Sequence, residues 1–174
     1  MSQPTSLEAV QKTSFADMHC SIGRTLEVVG HWWSPLIVRD VHLGLHRFDD
    51  IAGNLGISRN LLTRRLDDLV AAGILERRRY QDRPSRYEYH LAEAGRDLVP
   101  VLMAMMAWGD KWQTPPGGPP ALLVHDACGQ EFTPRVCCSE CGAEITAGTV
   151  TARSGPGAAA GPGTRLLGGR VHRT

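Results

Sequence analysis

The sequence predicts a mainly α-helical domain that carries one small β-hairpin, followed by a cysteine-rich module and a disordered tail. Three observations lead there. Apolar residues recur at helical spacing from Ile22 to Ala72 and again from Glu93 to Trp112. Strand-like alternation appears only between Ile74 and Leu91. A segment rich in Pro and Gly, residues 113–120, then separates this block from four of the five cysteines.

The elements follow in order. Residues 1–20 are polar and read as an arm or short leading helix. A helix over 22–29 places Ile22, Leu26 and Val29 on one face, and Gly30 ends it. Ser34 followed by Pro35 reads as an N-cap and a first helical position, opening a helix that runs to about Leu43 and buries Leu36, Ile37 and Val41. Phe48, Ile51, Ala52 and Leu55 define a short helix over 48–55. Gly56 and Ile57 make a tight turn, and Ser58 caps a helix over 59–72 that Gly73 stops. Strands over 74–80 and 86–91 flank a loop of turn-forming residues at 81–85. The helix over 93–112 starts after Ala92, which has no side-chain acceptor, so capping there falls to water or Glu93. It is apolar almost all round between Leu98 and Trp108, too wide a stripe for one contact face, and Pro100 is expected to kink it. The organisation is thus an arm (1–20), a helical domain (21–113), a linker (114–121), a cysteine module (122–150) and a tail (151–174) with too little apolar mass to fold.

Composition restricts function without naming it. Hydrophobic residues make up 42% of the 174, enough for a core, and the net charge is only +1. No secretory leader is apparent, and the apolar run at 98–108 is shorter than the ~20 residues of a membrane span. A cytoplasmic protein without a membrane partner is expected. In that compartment, clustered cysteines suggest metal or redox chemistry rather than disulfides.

Charge is distributed unevenly, and that is informative. Two short helices joined by a tight turn and followed by a hairpin are the order of a winged helix-turn-helix. Along the second of these helices, Leu62, Leu66 and Leu69 fall together as a core stripe. Asn60, Thr63, Arg64 and Asp67 lie opposite, with Arg59 at the margin. Arg and Asn near the start of such a face match guanine and adenine edges in a major groove. Asp67 and Asp68 are positioned to pair with Arg64 and Arg65. In the hairpin, Arg77, Arg78, Arg79, Arg83 and Arg86 are opposed locally only by Asp82. A projecting basic loop of this kind suits phosphate or minor-groove contacts. Residues 58–90 hold eight arginines against five acids, a local excess that the whole chain does not have. The expected DNA-binding set is therefore Arg47, Ser58, Arg59, Asn60, Thr63, Arg64, Arg78, Arg79, Arg83 and Arg86.

Residues 20–112 resemble the HxlR-type branch of the MarR-like winged-helix regulators. The resemblance rests on Cys20-Ser21-Ile22, Val29-Gly30-His31-Trp32-Trp33, Arg47-Phe48 and Gly56-Ile57-Ser58. It continues through residues 62–69, Ala72-Gly73-Ile74-Leu75-Glu76-Arg77, Arg86-Tyr87-Glu88-Tyr89 and Trp108-Gly109-Asp110-Lys111-Trp112. It implies a transcriptional regulator acting as a homodimer, with the first and last helices at the interface and double-stranded DNA with an inverted repeat as operator. Met103, Met105, Met106, Trp108 and Trp112 are too many for one small core, in keeping with a partner copy. Some members of this family sense oxidants or electrophiles through a cysteine just before the first helix. Cys20 holds that position, beside His19.

The module has its own logic. His125 and Cys128, then Cys138 and Cys141, form two pairs with two intervening residues, and each pair is followed by Gly. That spacing lets one tight turn present two ligands to one ion, so a structural, four-coordinate Cys3His Zn2+ site is expected. Cys137 rivals Cys138 but breaks the spacing. A filled coordination sphere leaves no open position for catalysis, which argues against an enzyme. The remaining alternative is a protein-interaction adaptor on a winged-helix scaffold with a structural zinc module, against which the arginine-loaded hairpin speaks.

Overall fold

The computed structural model describes residues 14–159 and 161–162. The expected arm before residue 14 and the end of the expected tail after residue 162 lie outside them. The described residues divide into two compact units, one made of residues 28–152 and the other of residues 14–27 with 153–159 and 161–162.

Helix α1 (Ser21–Val29), of which residues 21–27 belong to the smaller unit, begins directly after Cys20, whose carbonyl accepts the Arg24 N–H at 2.9 Å. The Glu27 carboxylate reaches back along the chain, accepting from the Phe15 N–H at 2.6 Å and from Ser14 Oγ at 3.1 Å. Ile22 and Leu26, expected on one apolar face, are both exposed.

The larger unit contains α2 (Trp33–His42), α3 (Phe48–Leu55), α4 (Arg59–Ala71), β1 (Leu75–Gln81), β2 (Arg86–Leu91) and α5 (Glu93–Trp112). Two short strands follow, β3 (Leu123–His125) and β4 (Gln130–Phe132). The core gathers Ile37, Val38 and Val41 from α2, Ile51 from α3, and Leu62, Leu66 and Leu69 from α4. Leu75 and Tyr89 close it from the hairpin, and burial raises the Tyr89 phenol above its ordinary range. Asp40 is buried on α2 among these residues. Its carboxylate accepts from Asn54 Nδ2 at 2.8 Å and from the neighbouring Arg39 guanidinium, which ties α2 to α3 with a satisfied polar contact.

Sequence periodicity places α3, β2 and α5 at their observed limits. Three expectations need correction. Helix α2 starts at Trp33, so Ser34 is not its cap: Ser34 is buried inside the first turn, and its N–H donates to His31 O at 2.8 Å. Pro35 fits there because a first-turn residue needs no intrahelical N–H bond. Leu36, expected in the core, is partly exposed. The first strand runs one residue later than expected, from Leu75 to Gln81, although the Ile74 carbonyl still accepts the Ala92 N–H at 3.0 Å. Ala92 caps α5 without a side-chain hydrogen bond, as expected.

The return of α5 to the domain depends on one glycine. A Cβ at Gly95 would stand 2.2 Å from Ile74 O, closer than any real contact, so only glycine lets the helix pass over the start of the hairpin. Beyond that point burial ceases: among the described residues, none after Val99 is buried.

Candidate nucleic-acid interface

Helix α3, the turn at Gly56 and helix α4 form the helix-turn-helix. Gly56 takes a left-handed φ of 61°, which ends α3 and allows α4 to begin three residues later. Ser58 has extended backbone and caps α4, its Oγ accepting from Leu61 N at 3.4 Å. Leu62, Leu66 and Leu69 are fully buried at 0% exposure. This fixes the rotation of α4, so Asn60, Thr63, Arg64 and Asp67 are presented outward.

The hairpin pairs Leu75 with Leu91 through Gln81 with Arg86, with an irregularity between Arg79 and Gln81. It gains a third partner that the sequence did not suggest. Arg47 bridges Glu88, and Tyr89 N donates to His46 O at 2.8 Å, so the residues before α3 lie as an edge along β2. The only hint in the sequence was a lone Arg before an apolar period, which no alternation rule would identify as a strand.

The predicted arginines divide into two groups. Arg47 Nε lies 3.3 Å from Glu88 and its guanidinium 4.9 Å over the Tyr80 ring, and this hydrogen bond is what chiefly lowers the Glu88 pKa. Arg59 is held by Asp49 at 2.6 Å and stacks over Phe48 at 4.8 Å. Arg78 pairs with Glu76, and Arg79 meets Asp82 at 3.2 Å and Ser85 Oγ at 2.7 Å. Arg77 covers the Tyr87 ring at 4.4 Å. Among the described residues no ion pair engages Arg64 on α4, or Arg83 and Arg86 at the hairpin tip. Of the expected pairs along α4 only Arg65–Asp68 forms, at 3.0 Å, so Arg64 stays exposed and unpaired. Asp49 and Phe48 are the members that sequence reasoning missed. They orient Arg59, and their signal was hidden because they lie on α3 rather than on the reading helix.

The residues expected to bind metal occupy two separate turns. His125 Nδ1 and Cys128 Sγ stand 3.4 Å apart, and Cys138 neighbours Cys141, whose backbone N–H heads the donors that lower the Cys138 pKa. Among the described residues no three His, Cys, Asp or Glu side chains already converge on one point.

The profile described as HxlR-like helix-turn-helix matches residues 28–116. The chain belongs to this family. It is 47% identical over 137 residues to the HTH-type transcriptional regulator Rv3095 of Mycobacterium tuberculosis, covering 79% of this chain and 87% of the relative. Among solved structures, PA1607, classed as a transcription factor, superposes with a TM-score of 0.72 at 33% identity, covering 80% of this chain and 98% of that one. The Pseudomonas aeruginosa transcription-factor structure PA1374 gives 0.57 at 41% identity, covering 81% and 96%. The redox regulator HypR in its reduced form gives 0.50 at 32% identity, over 53% of this chain and 92% of its own. The HxlR-like family accounts for the helix-turn-helix, the hairpin and α5. An alignment of 137 residues does not fit before residue 116, so the likeness to the mycobacterial regulator runs on into the cysteine module.

Proposed function

We propose that this HxlR-like regulator binds double-stranded DNA sequence-specifically as a homodimer on an inverted-repeat operator, in the cytoplasm and without catalysis. The observation that carries the reading is the contrast between tied and unengaged arginines. Arg59, Arg47, Arg78 and Arg79 have intramolecular partners that set the shape of the surface, whereas Arg64, Arg83 and Arg86 are exposed with none among the described residues. Arg64 with Asn60 and Thr63 would read base edges, Ser58 would meet phosphate near the N-terminus of α4, and the two tip arginines would neutralise phosphates.

Self-association is supported by α5. Val101, Met105, Trp108 and Trp112 are 51–61% exposed and follow one another at steps of four, three and four residues. Such spacing makes one apolar stripe suited to a second helix. A copy of the same stripe is the simplest occupant, and it would double the reading heads.

Fluorescence-anisotropy titration against genomic duplex fragments, with sedimentation velocity on the same sample, tests this. Binding of one dimer per site, with affinity that falls steeply with salt, is expected. Salt-insensitive binding, or a monomer at the concentrations that bind DNA, overturns it.

A thiol switch is the second element of the reading, favoured by the position of Cys20 at the start of α1 and by the likeness to HypR, a redox regulator. Diamide would take the two hydrogens of two thiols, leaving a disulfide and changing operator affinity. Unchanged affinity with Cys20 shown to be oxidised defeats this element alone.

A further inference from the structure

The cysteine module contains two copies of one turn. In the first, the His125 carbonyl accepts from Cys128 N at 3.1 Å and from Gly129 N at 2.8 Å, and Gly129 has φ 68°. In the second, the Cys138 carbonyl accepts from Gly142 N at 2.9 Å, and Gly142 has φ 72°. Each turn caps its own short antiparallel ladder. The first ladder is β3 with β4, where His125 faces Gln130. The second runs through Ile145 N to Val136 O at 2.8 Å, the Cys137–Glu144 bridge and Cys138 N to Ala143 O at 2.9 Å. Residue for residue, His125, Cys128 and Gly129 thus correspond to Cys138, Cys141 and Gly142.

Glycine is required at both ends for a physical reason. A left-handed residue directly after the second ligand turns the chain back, so that its N–H and side chains of the turn point to the same side. In the first turn the spacing can be compared with a metal site. Zinc bonds of about 2.3 Å to sulfur and 2.0–2.1 Å to nitrogen at the tetrahedral angle separate the two donor atoms by about 3.5 Å. His125 Nδ1 and Cys128 Sγ are 3.4 Å apart.

Apolar packing does not account for the module's order. Val124, Phe132, Val136 and Ile145 are all exposed, and no described residue of 122–150 is buried. A segment with two short ladders and no core needs another source of cohesion, and a structural metal is the usual one at this size. The donor set of three thiols and one imidazole suits a borderline-soft ion without geometric demands of its own.

We infer that His125 Nδ1 and the thiolates of Cys128, Cys138 and Cys141 bind one Zn2+ ion, which draws the two matching turns together and holds the module folded. Each thiol gives up its proton to the buffer on binding, and nothing is oxidised or reduced. Cys138 is assigned rather than Cys137 because Cys138 matches His125 in the repeated turn, whereas Cys137 matches Val124 one ladder position earlier.

The full chain, reduced with a phosphine, is incubated with excess Zn2+, passed through a desalting column and analysed for zinc by mass spectrometry. Stoichiometric retention is expected. Co2+ in place of zinc should show the intense visible bands of a tetrahedral thiolate complex, and C128S, C138S and C141S should each lose both signals. C137S should keep both, and H125C should keep the metal with added thiolate-to-cobalt absorption. A reduced wild-type chain that leaves the column without zinc and shows only the weak spectrum of hydrated cobalt overturns the site, a result that depends on no variant folding. Retention in C138S with loss in C137S overturns the ligand assignment. None of these readouts uses DNA, so their failure leaves the regulatory reading standing.

Discussion

The winged-helix region and the cysteine module hold together by different means, although both begin as short elements joined by glycine turns. In the first, Ile37, Ile51, Leu62, Leu66 and Leu69 are fully enclosed, and each contributes the burial of a whole aliphatic side chain. In the second, nothing is enclosed, and the recurring feature is a pair of matching turns that carry His125, Cys128, Cys138 and Cys141. A hydrophobic core tolerates surface change but not loss of volume. A module cross-linked by the proposed Zn2+ would tolerate loss of its apolar residues but not of a ligand. The difference teaches where each region is vulnerable and gives a direct way to separate them.

The sharpest break is in the core. Leu66→Ala should lower the unfolding free energy of the helical region by about 2–5 kcal/mol, followed by circular dichroism in urea. Protection of the module thiols against a labelling reagent should be unchanged. Parallel loss of both would mean that the regions fold as one and would end the contrast. Gly95→Ala comes next, at about 3 kcal/mol, because its methyl has no room beside Ile74 O. Gly53→Ala on α3, where a Cβ meets nothing within 4 Å, should instead stabilise by about 0.5–1 kcal/mol. Equal effects of the two substitutions would deny the close approach of α5.

Within the interface the effects are smaller and differ in kind. Arg64→Ala should cost about 1–3 kcal/mol on the operator and little on random duplex. Arg83→Ala should weaken both alike and reduce the salt slope by about 1, measured by anisotropy at several salt concentrations. A swap of these two signatures would reverse the roles of helix and hairpin. Ser58→Ala should cost only about 0.5 kcal/mol, at the low end for an N-cap because its hydrogen bond is long at 3.4 Å. Smallest is the acid response of the Arg47–Glu88 contact. The folded-state pKa of Glu88 is lowered, so its contribution is complete above the unfolded value and lost as pH falls through the folded one. Glu88→Gln should therefore flatten the acid limb of a Tm–pH profile through a small loss of Tm at neutral pH that vanishes below the folded-state pKa.

Some features were readable without coordinates because they depend only on period and neighbours in sequence. The leucine stripe of α4 set which side of that helix is polar, and the structure buries those three residues completely. The limits of α3, β2 and α5 follow from glycine, capping and a change of period, all of which act within a turn or two. The start of α2 was misread since Ser-Pro has the chemistry of a cap, yet packing buries Ser34 inside the first turn. Local preference yields to tertiary burial there.

The division among the arginines is different in nature. Chain order showed many basic residues near one predicted surface and, apart from the acids expected beside Arg64 and Arg65, gave little to tell them apart. Arg78 and Arg79 are engaged by near neighbours, but the engagement of the other two depends on residues further along the chain: Glu88 lies 41 residues from Arg47, and Asp49 lies 10 from Arg59. Gly95 is similar, an unremarkable helix residue until the Ile74 carbonyl arrives beside it. Helical and strand periods are written in consecutive residues and need no fold to be seen. The long-range pairs Arg47–Glu88 and Arg59–Asp49, and the close approach at Gly95, arise only when distant segments meet, and so they belong to the folded chain.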